Sequence, residues 1–540
     1  MISAQAVPSS SASGARRGRA GVPGGFGAGW ALLISVAGGL ALYASFPPVG
    51  AWPLAVLGPA LLVVALAGRS LRGSFGCGLA FGLSLFVPLL SWLVNEAWYA
   101  WFGLAGALTV IFAVLAVGQR LLLGLPYWPA AVAGWWVLVE GVRDRWPYAF
   151  PWGRLAMSQS GAPDVRWVAV GGAPLLSFLV ALAGAMLARA AFALLISGPA
   201  LRSRERVGPV VAAVVTGGLV LAGGLLPVDP TAGAPTAQVA AIQGNVPRAR
   251  NLPEQLRAST VTQNHAEATL RLAAQVNAGR RAAPDIVVWP ENSTDLDPFE
   301  NPDIYSQLAG AVAAIGRPIL VGEVLNNPRR NVGQLWVPGR GPTTAYVKRQ
   351  LVPFGEYIPF RGVISSFSSL PSLQPVDFTA GRRAVVFGAG KIRLGDVICY
   401  EVGFDNLVRS EVTAGANLLA VQSNDADFEI DGQLGETEQQ TAMARIRAVE
   451  TDRAVVYAST TGESAIIAPD GTVIAHSGVW RQAILDARVP LVSYRTLAAQ
   501  VGAWPEYVII MLTVLALAWA VLRSKRRASS GSSPAPVSTT

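Results

Sequence analysis

Three residues of this chain have the types and surroundings of a nucleophile, its base and a stabiliser of developing charge. Cys399 follows the apolar run Ile392 to Val397 and precedes Tyr400 and Glu401, which places its thiol on a turn after a buried strand, within reach of substrate. Glu291 closes DIVVWPEN, where a carboxylate at the end of an apolar strand can accept the thiol proton. Lys348 lies in AYVKRQLVPFGEYIPF, and a lysine among aromatic and apolar residues can present fixed positive charge to an oxyanion. Glu356, in the same segment, can hold that lysine or the substrate. Each residue taken alone also has an ordinary reading: a buried structural cysteine, a solvated loop acid, a snorkelling lysine, an unrelated turn acid. The set as a whole describes covalent catalysis by a thiol.

The remaining reactive side chains add little. The other cysteine, Cys77, lies inside an apolar run and is a poor disulfide partner for Cys399. His265 and His476 are too few and too far from either thiol to form a metal cluster, so no zinc site and no cofactor is expected. A thiol left unpaired in an outward-facing domain is an oxidation liability unless it is used, which favours a working Cys399.

Composition fixes the solvent of the elements that must position these groups. Of 540 residues, 52% are hydrophobic and only 14% charged, so part of the chain meets lipid. The formal net charge is +9, but the basic residues sit in short clusters beside apolar segments, the pattern that orients membrane proteins, and nucleic-acid binding is rejected. A spanning helix needs about 20 predominantly apolar residues. Candidates fall near 27–46, 51–68, 74–94, 101–124, 127–142, 168–197, 208–226 and 506–523, eight in all. Gly- and Ala-rich stretches such as GGLAL and GLAGAL allow helices to approach closely.

Arginine counts orient the bundle. If the basic, Ser-rich tail of residues 1–26 is cytoplasmic, then Arg69 with Arg72, Arg120, the cluster Arg202, Arg204 and Arg206, and Arg523 to Arg527 all fall on the cytoplasmic side. The loop at 143–167 is the exception, with Arg143, Arg145, Arg154 and Arg166 outside; Glu140, Asp144 and Asp164 or lipid headgroups are their expected partners. The resulting plan is a disordered tail (1–26), a bundle of about seven helices (27–227), an extracytoplasmic domain (228–500), a last helix (501–523) and a basic cytoplasmic tail (524–540). Within 228–500, β-rich runs (AQVAAIQ, DIVVWP, PILVGEV, RLGDVICY, NLLAVQS, AVVYAST) alternate with helical stretches at 253–278 and 437–451, an α/β pattern that presents residues from strand ends.

The ordered set WPEN, YVKRQLVPFGEY and ICYE resembles the Glu-Lys-Cys signature of the nitrilase superfamily of carbon-nitrogen hydrolases. QGNVP (243–247), FPW (150–152), SND (423–425) and MARIRAVE (443–450) are similar to the superfamily's membrane branch, the apolipoprotein N-acyltransferases, and the similarity extends over most of the chain. That resemblance implies an αββα sandwich carried by the bundle in a bacterial cytoplasmic membrane. It implies that Cys399 takes an acyl group from a phospholipid, typically phosphatidylethanolamine, and passes it to the α-amino group of a lipoprotein's diacylglyceryl-cysteine. Glu291 would be the base, Lys348 the oxyanion stabiliser and Glu356 a supporting carboxylate, with Tyr400 and Glu401 completing the wall around the sulfur. Leu252, where the family often has tryptophan, and Asp427 before Phe428, where an aromatic pair is usual, depart from the pattern and bear on lid packing and acyl-chain recognition. The stretch 362–378 has the look of a lipid-facing lid or of a plain surface loop, and Arg445, Arg447 and Arg453 that of structural ion-pair partners for Glu450. Two rivals are a membrane-tethered amidase, using the same residues but delivering to water, and a transporter or scaffold, disfavoured because the apolar segments lack a buried ionic pathway.

Overall fold

The apolar runs fold as helices because a backbone without water must satisfy its own N–H and C=O groups. The computed structural model describes residues 26–146, 148–196, 203–227, 233–248, 253–366, 375–426, 428 and 435–530. Leu252, Asp427, most of both tails, Arg202 and the middle of the 362–378 stretch lie outside them. Helices α1 (Ala28–Ser45), α2 (Leu54–Leu66), α3 (Leu71–Leu89), α4 (Trp98–Leu122), α5 (Trp128–Arg143), α6 (Val168–Ala191) and α7 (Ser203–Leu221) occupy the first seven apolar segments. Among the described residues six helices, these without α2 and α5 but with the C-terminal one, are long and apolar enough to cross a membrane. Helix α2, with 13 residues, and α5, with 16, fall short of the length usual for a span. Close packing rests on small residues: a Cβ on Gly78 of α3 would stand 2.5 Å from the Ala113 Cα of α4.

The polar region folds as two face-to-face sheets. In chain order it holds β1 (Thr236–Gln243), α8 (Glu254–Asn277), β2 (Ile286–Val288), α9 (Pro302–Ile315), β3 (Ile319–Leu325), β4 (Arg330–Val337), β5 (Gly341–Val347), α10 (Arg361–Ile364), β6 (Val386–Ala389) and β7 (Ile392–Ile398). There follow α11 (Asp405–Thr413), β8 (Leu418–Ser423), α12 (Glu436–Thr451), β9 (Val455–Ser459), β10 (Ala465–Ile467), β11 (Val473–His476), β12 (Ala483–Pro490), α13 (Leu497–Val501) and α14 (Trp504–Ser530), the last apolar helix. One sheet has the order β12-β1-β2-β3-β4-β5 and the other β11-β10-β9-β8-β7-β6. Strands β1, β2 and β3 run parallel, as do β7, β8 and β9, with antiparallel strands flanking both sets.

Both faces of these strands are apolar, as buried parallel strands require. Along β1, Val239 and Ala241 join the core between the sheets, while Ala240 and Ile242 pack with Leu272 of α8 and Leu308 of α9. Helices α11 and α12 lie against the second sheet, completing an αββα sandwich. The six β-rich runs and both helical stretches read from sequence are present. The hairpins β4–β5 and β10–β11 are additions, because short antiparallel strands closed by Gly-containing turns carry little periodicity.

Buried ion pairs join bundle and sandwich. Arg154, from the loop after α5, grips Asp405 at the start of α11 through two hydrogen bonds of 2.8 and 3.1 Å, and its Nε stands 3.1 Å from Asp144. Arg447 of α12 reaches the same Asp405 at 2.7 Å and Glu450 at 2.5 Å, and donates to the Val402 and Gly403 carbonyls. Burial alone would raise the Asp405 pKa, but the two guanidiniums more than cancel it and hold the carboxyl well below its ordinary value. Arg145 pairs with Glu506 of α14 at 2.6 Å. Thus Arg145 and Arg154 after α5 and Arg447 on α12 are structural. Removing Asp405 takes from two buried cations the carboxylate they share, leaving Asp144 and Glu450 as their remaining partners, so Asp405→Ala lowers stability by about 3–5 kcal/mol, seen as a large fall in thermal midpoint in detergent; Arg361→Ala, at the exposed pair with Asp377, costs about 0–1 kcal/mol.

Candidate active site

The two sheets bring their strand ends to one edge, and the chemistry collects there. Strand β4 runs antiparallel to β3, and β5 antiparallel to β4, so β5 points the same way as β2 and β3. Glu291 after β2 and Lys348 after β5 therefore emerge together, and Asn331 at the start of β4 meets them. The turn carrying Glu291 fits because residue 322 has no side chain: a Cβ there would stand 2.2 Å from the Pro290 carbonyl oxygen.

Lys348 Nζ lies 2.8 Å from Glu291 Oε1 and 3.0 Å from Glu356 Oε1. Asn331 Nδ2 donates to the same two oxygens at 2.7 and 2.9 Å. The outer oxygens are also held, Glu291 Oε2 by the Asn424 backbone N–H at 3.0 Å and Glu356 Oε2 by that of Val352 at 2.8 Å. One ammonium thus sits between two carboxylates, all buried. Burial pulls the lysine pKa down, but Glu291 and Glu356 outweigh it and keep the ammonium charged. Burial lifts the Glu291 carboxyl above its ordinary value, with Lys348 partly opposing.

Cys399 opens a short 3-10 turn, Cys399–Gly403, directly after β7, with φ of +51°. A non-glycine residue in this region is strained by about 1–3 kcal/mol, and the surroundings must hold it there. Glu401 does much of the holding. Its fully buried carboxylate accepts from the Ile398 N–H at 2.9 Å, from the Arg349 and Gln350 N–H groups at 2.6 and 3.0 Å, and from the Tyr346 hydroxyl at 2.7 Å. It therefore ties the nucleophile turn to the segment that carries Lys348. Tyr400 fastens the turn to the bundle: its hydroxyl donates to the Ala149 carbonyl at 2.8 Å and its ring stacks on Trp152, centroids 5.4 Å apart. Both side chains are struts for the turn rather than a lining around the sulfur.

The thiol itself is buried, and burial raises its pKa well above the ordinary value; Glu291 adds to the rise and Lys348 opposes it. Burial therefore disfavours the thiolate, and the charges of Glu291 and Lys348 act on the sulfur in opposite senses. Its hydrogen-bond partner is Gln440 of α12, Nε2 to Sγ 3.5 Å. Neither Asn331 nor Gln440 stands out in the sequence, because a polar residue inside a strand or helix shows its orientation only when the partner element is packed against it. Phe428, next to the departing Asp427, packs edge-on against Trp92 at 5.1 Å, and its carbonyl accepts from Asn95.

The arrangement suits attack of a thiol on an acyl carbon. Residues 38–186 match the model of the apolipoprotein N-acyltransferase N-terminal domain, and residues 238–499 that of carbon-nitrogen hydrolases. A solved amidase from Nesterenkonia sp. aligns with a TM-score of 0.36 at 19% identity, covering 49% of this chain and 92% of that one. The apolipoprotein N-acyltransferase of Mycolicibacterium smegmatis is 37% identical over 525 residues, covering 92% of this chain and 86% of the relative. That of Azotobacter vinelandii is 31% identical over 530 residues, covering 92% and 96%. With both halves matched and identity above 30% sustained over 86% and 96% of these relatives, the chain belongs to the apolipoprotein N-acyltransferase family.

Proposed function

We propose that this protein transfers a fatty acyl chain from a membrane phospholipid, phosphatidylethanolamine foremost, through a thioester on Cys399 to the α-amino group of a lipoprotein's N-terminal diacylglyceryl-cysteine. The observation that carries this reading is the buried Glu291–Lys348–Glu356 cluster acting on a strained cysteine turn that is itself bolted to an apolar helical bundle. Two acyl-bearing substrates and an anchored site share one interface, which removes much of the search and orientation cost.

In the first half-reaction Glu291 takes the Cys399 proton as sulfur attacks the ester carbonyl carbon. Lys348, with the Tyr400 backbone N–H, stabilises the oxyanion. Collapse breaks the C–O bond, and the glyceryl oxygen leaves with the proton held by Glu291, giving a lysophospholipid and the thioester. In the second half the amine attacks the thioester carbon, Glu291 accepts an amine proton, the C–S bond breaks, and sulfur recovers the proton. Glu291 rather than Glu356 is assigned as base because, among the charged groups, Glu291 acts most strongly on the Cys399 thiol.

Eight helices cross the membrane in this reading, with α2 and α5 completing the bundle between longer neighbours, and both termini are cytoplasmic. The catalytic domain then faces outward, at the leaflet where lipoproteins mature.

Incubation with acyl-labelled phosphatidylethanolamine leaves label on Cys399, and Cys399→Ala abolishes it. Glu291→Gln slows labelling by about 10²–10⁴-fold, and Lys348→Met by about 10²–10³-fold. Adding a diacylated lipopeptide discharges the label as an N-acyl group, read by mass spectrometry; release to water alone would instead make the protein a hydrolase. Because burial lifts the Glu291 carboxyl and the base must be ionised, the rate of thioester formation rises with pH through a midpoint above the ordinary glutamate value, and this acid limb vanishes in Glu291→Gln. Alkaline phosphatase fused after the last residue stays inactive in cells; an active fusion refutes the orientation.

A further inference from the structure

Gln440 is a buried polar side chain beside the sulfur that the acyl-transfer scheme leaves unused; it is 1% exposed. Both ends of its carboxamide are engaged. Oε1 stands 3.1 Å from the Tyr457 hydroxyl and 2.9 Å from that of Ser423. Nε2 faces Glu436 Oε1, one turn earlier on α12, and Cys399 Sγ at 3.5 Å. Proton accounting settles which hydroxyl serves Gln440. Ser423, Ser459 and Thr437 donate to Asp425 at 2.5, 2.6 and 3.1 Å, while Tyr457 is 3.4 Å from that carboxylate and nearer to Gln440. Tyr457 therefore donates to Oε1. The reverse amide orientation would set the carbonyl oxygen against the Glu436 carboxylate, acceptor against acceptor, so Nε2 must face the sulfur.

We propose that Gln440 is a further catalytic residue, whose Nε2–H donates to Cys399 Sγ and stabilises the thiolate both as it forms and as it departs from the thioester. This rests on Cys399 being the nucleophile. The groups acting on the thiol come from every element around it: Glu291 after β2, Lys348 after β5, Asp425 after β8, Tyr457 on β9, and Glu436 beside Gln440 on α12. Burial and the three carboxylates oppose ionisation, and Lys348 favours it. An amide N–H adds a donor that interacts more strongly with sulfur anion than with thiol, yet has no proton to exchange. It can thus favour thiolate without competing with Glu291 for the proton. In the first half-reaction it offsets part of the penalty when Glu291 removes the proton, and in the second it steadies sulfur as the C–S bond breaks.

The pH dependence of Cys399 alkylation by iodoacetamide, followed by peptide mass spectrometry on the purified full chain, tests this without any lipid substrate. Gln440→Met keeps the length and loses the donor. The expected result is a profile displaced upward by about one pH unit, so that alkylation below the midpoint is roughly tenfold slower, with thioester formation slowed by a similar factor. Tyr457→Phe keeps the donor but removes its anchor, and shifts the profile less in the same direction. An unchanged or downward-shifted profile in Gln440→Met overturns the proposal; if that variant does not fold, an unchanged profile in Tyr457→Phe does so. A displaced profile in a protein that never accepts acyl label at Cys399 upholds the contact and refutes the lipid chemistry instead.

Discussion

A single buried ammonium organises this protein. Lys348 has given up bulk water, and such a charge persists inside a fold only when opposite charge and hydrogen-bond acceptors are arranged around it with little freedom. Glu291 and Glu356 supply the charge. Asn331 bridges the two carboxylates, and the N–H groups of Asn424 and Val352 hold their outer oxygens. These partners come from four separate stretches of chain, so the cluster exists only when both sheets are in register. The same requirement makes it a good catalytic environment, because dipoles already fixed in place need not reorganise when charge moves.

The sulfur is added to that cluster by a third buried carboxylate. Glu401 ties the end of β7 to the backbone of Arg349 and Gln350, immediately after the lysine. The position of the nucleophile relative to the ammonium is thus set by one buried side chain that accepts from three backbone N–H groups. On the other side, Tyr400 against Trp152 and Asp405 against Arg154 make the bundle part of the same support. The loop FPWGR is therefore where the membrane-facing half and the chemical half become one structure, and displacing it would move the cysteine turn directly.

The sequence by itself determined the reagents and the solvent. Short apolar runs ending in Cys399, Glu291 and the segment with Lys348 marked strand ends carrying reactive groups. Long apolar runs with arginine beside them marked helices in lipid, because 3.6- and 2-residue periodicity and hydropathy are local properties that survive in one dimension. The resemblance to a family ordered these residues into one signature. Tertiary structure decided the rest. That Arg154 faces Asp405 instead of a headgroup, that Tyr400 and Glu401 brace the turn instead of lining the pocket, and that Asn331 and Gln440 belong to the site at all depend on which elements pack together. Hairpins such as β4–β5 and the parallel pairing of strands far apart in sequence set those neighbours, and α2 proved shorter than its apolar run because turns at Trp52–Pro53 and Ala67–Gly68 bound it. A buried polar side chain is defined by its partner, and the partner is named only when the chain has folded.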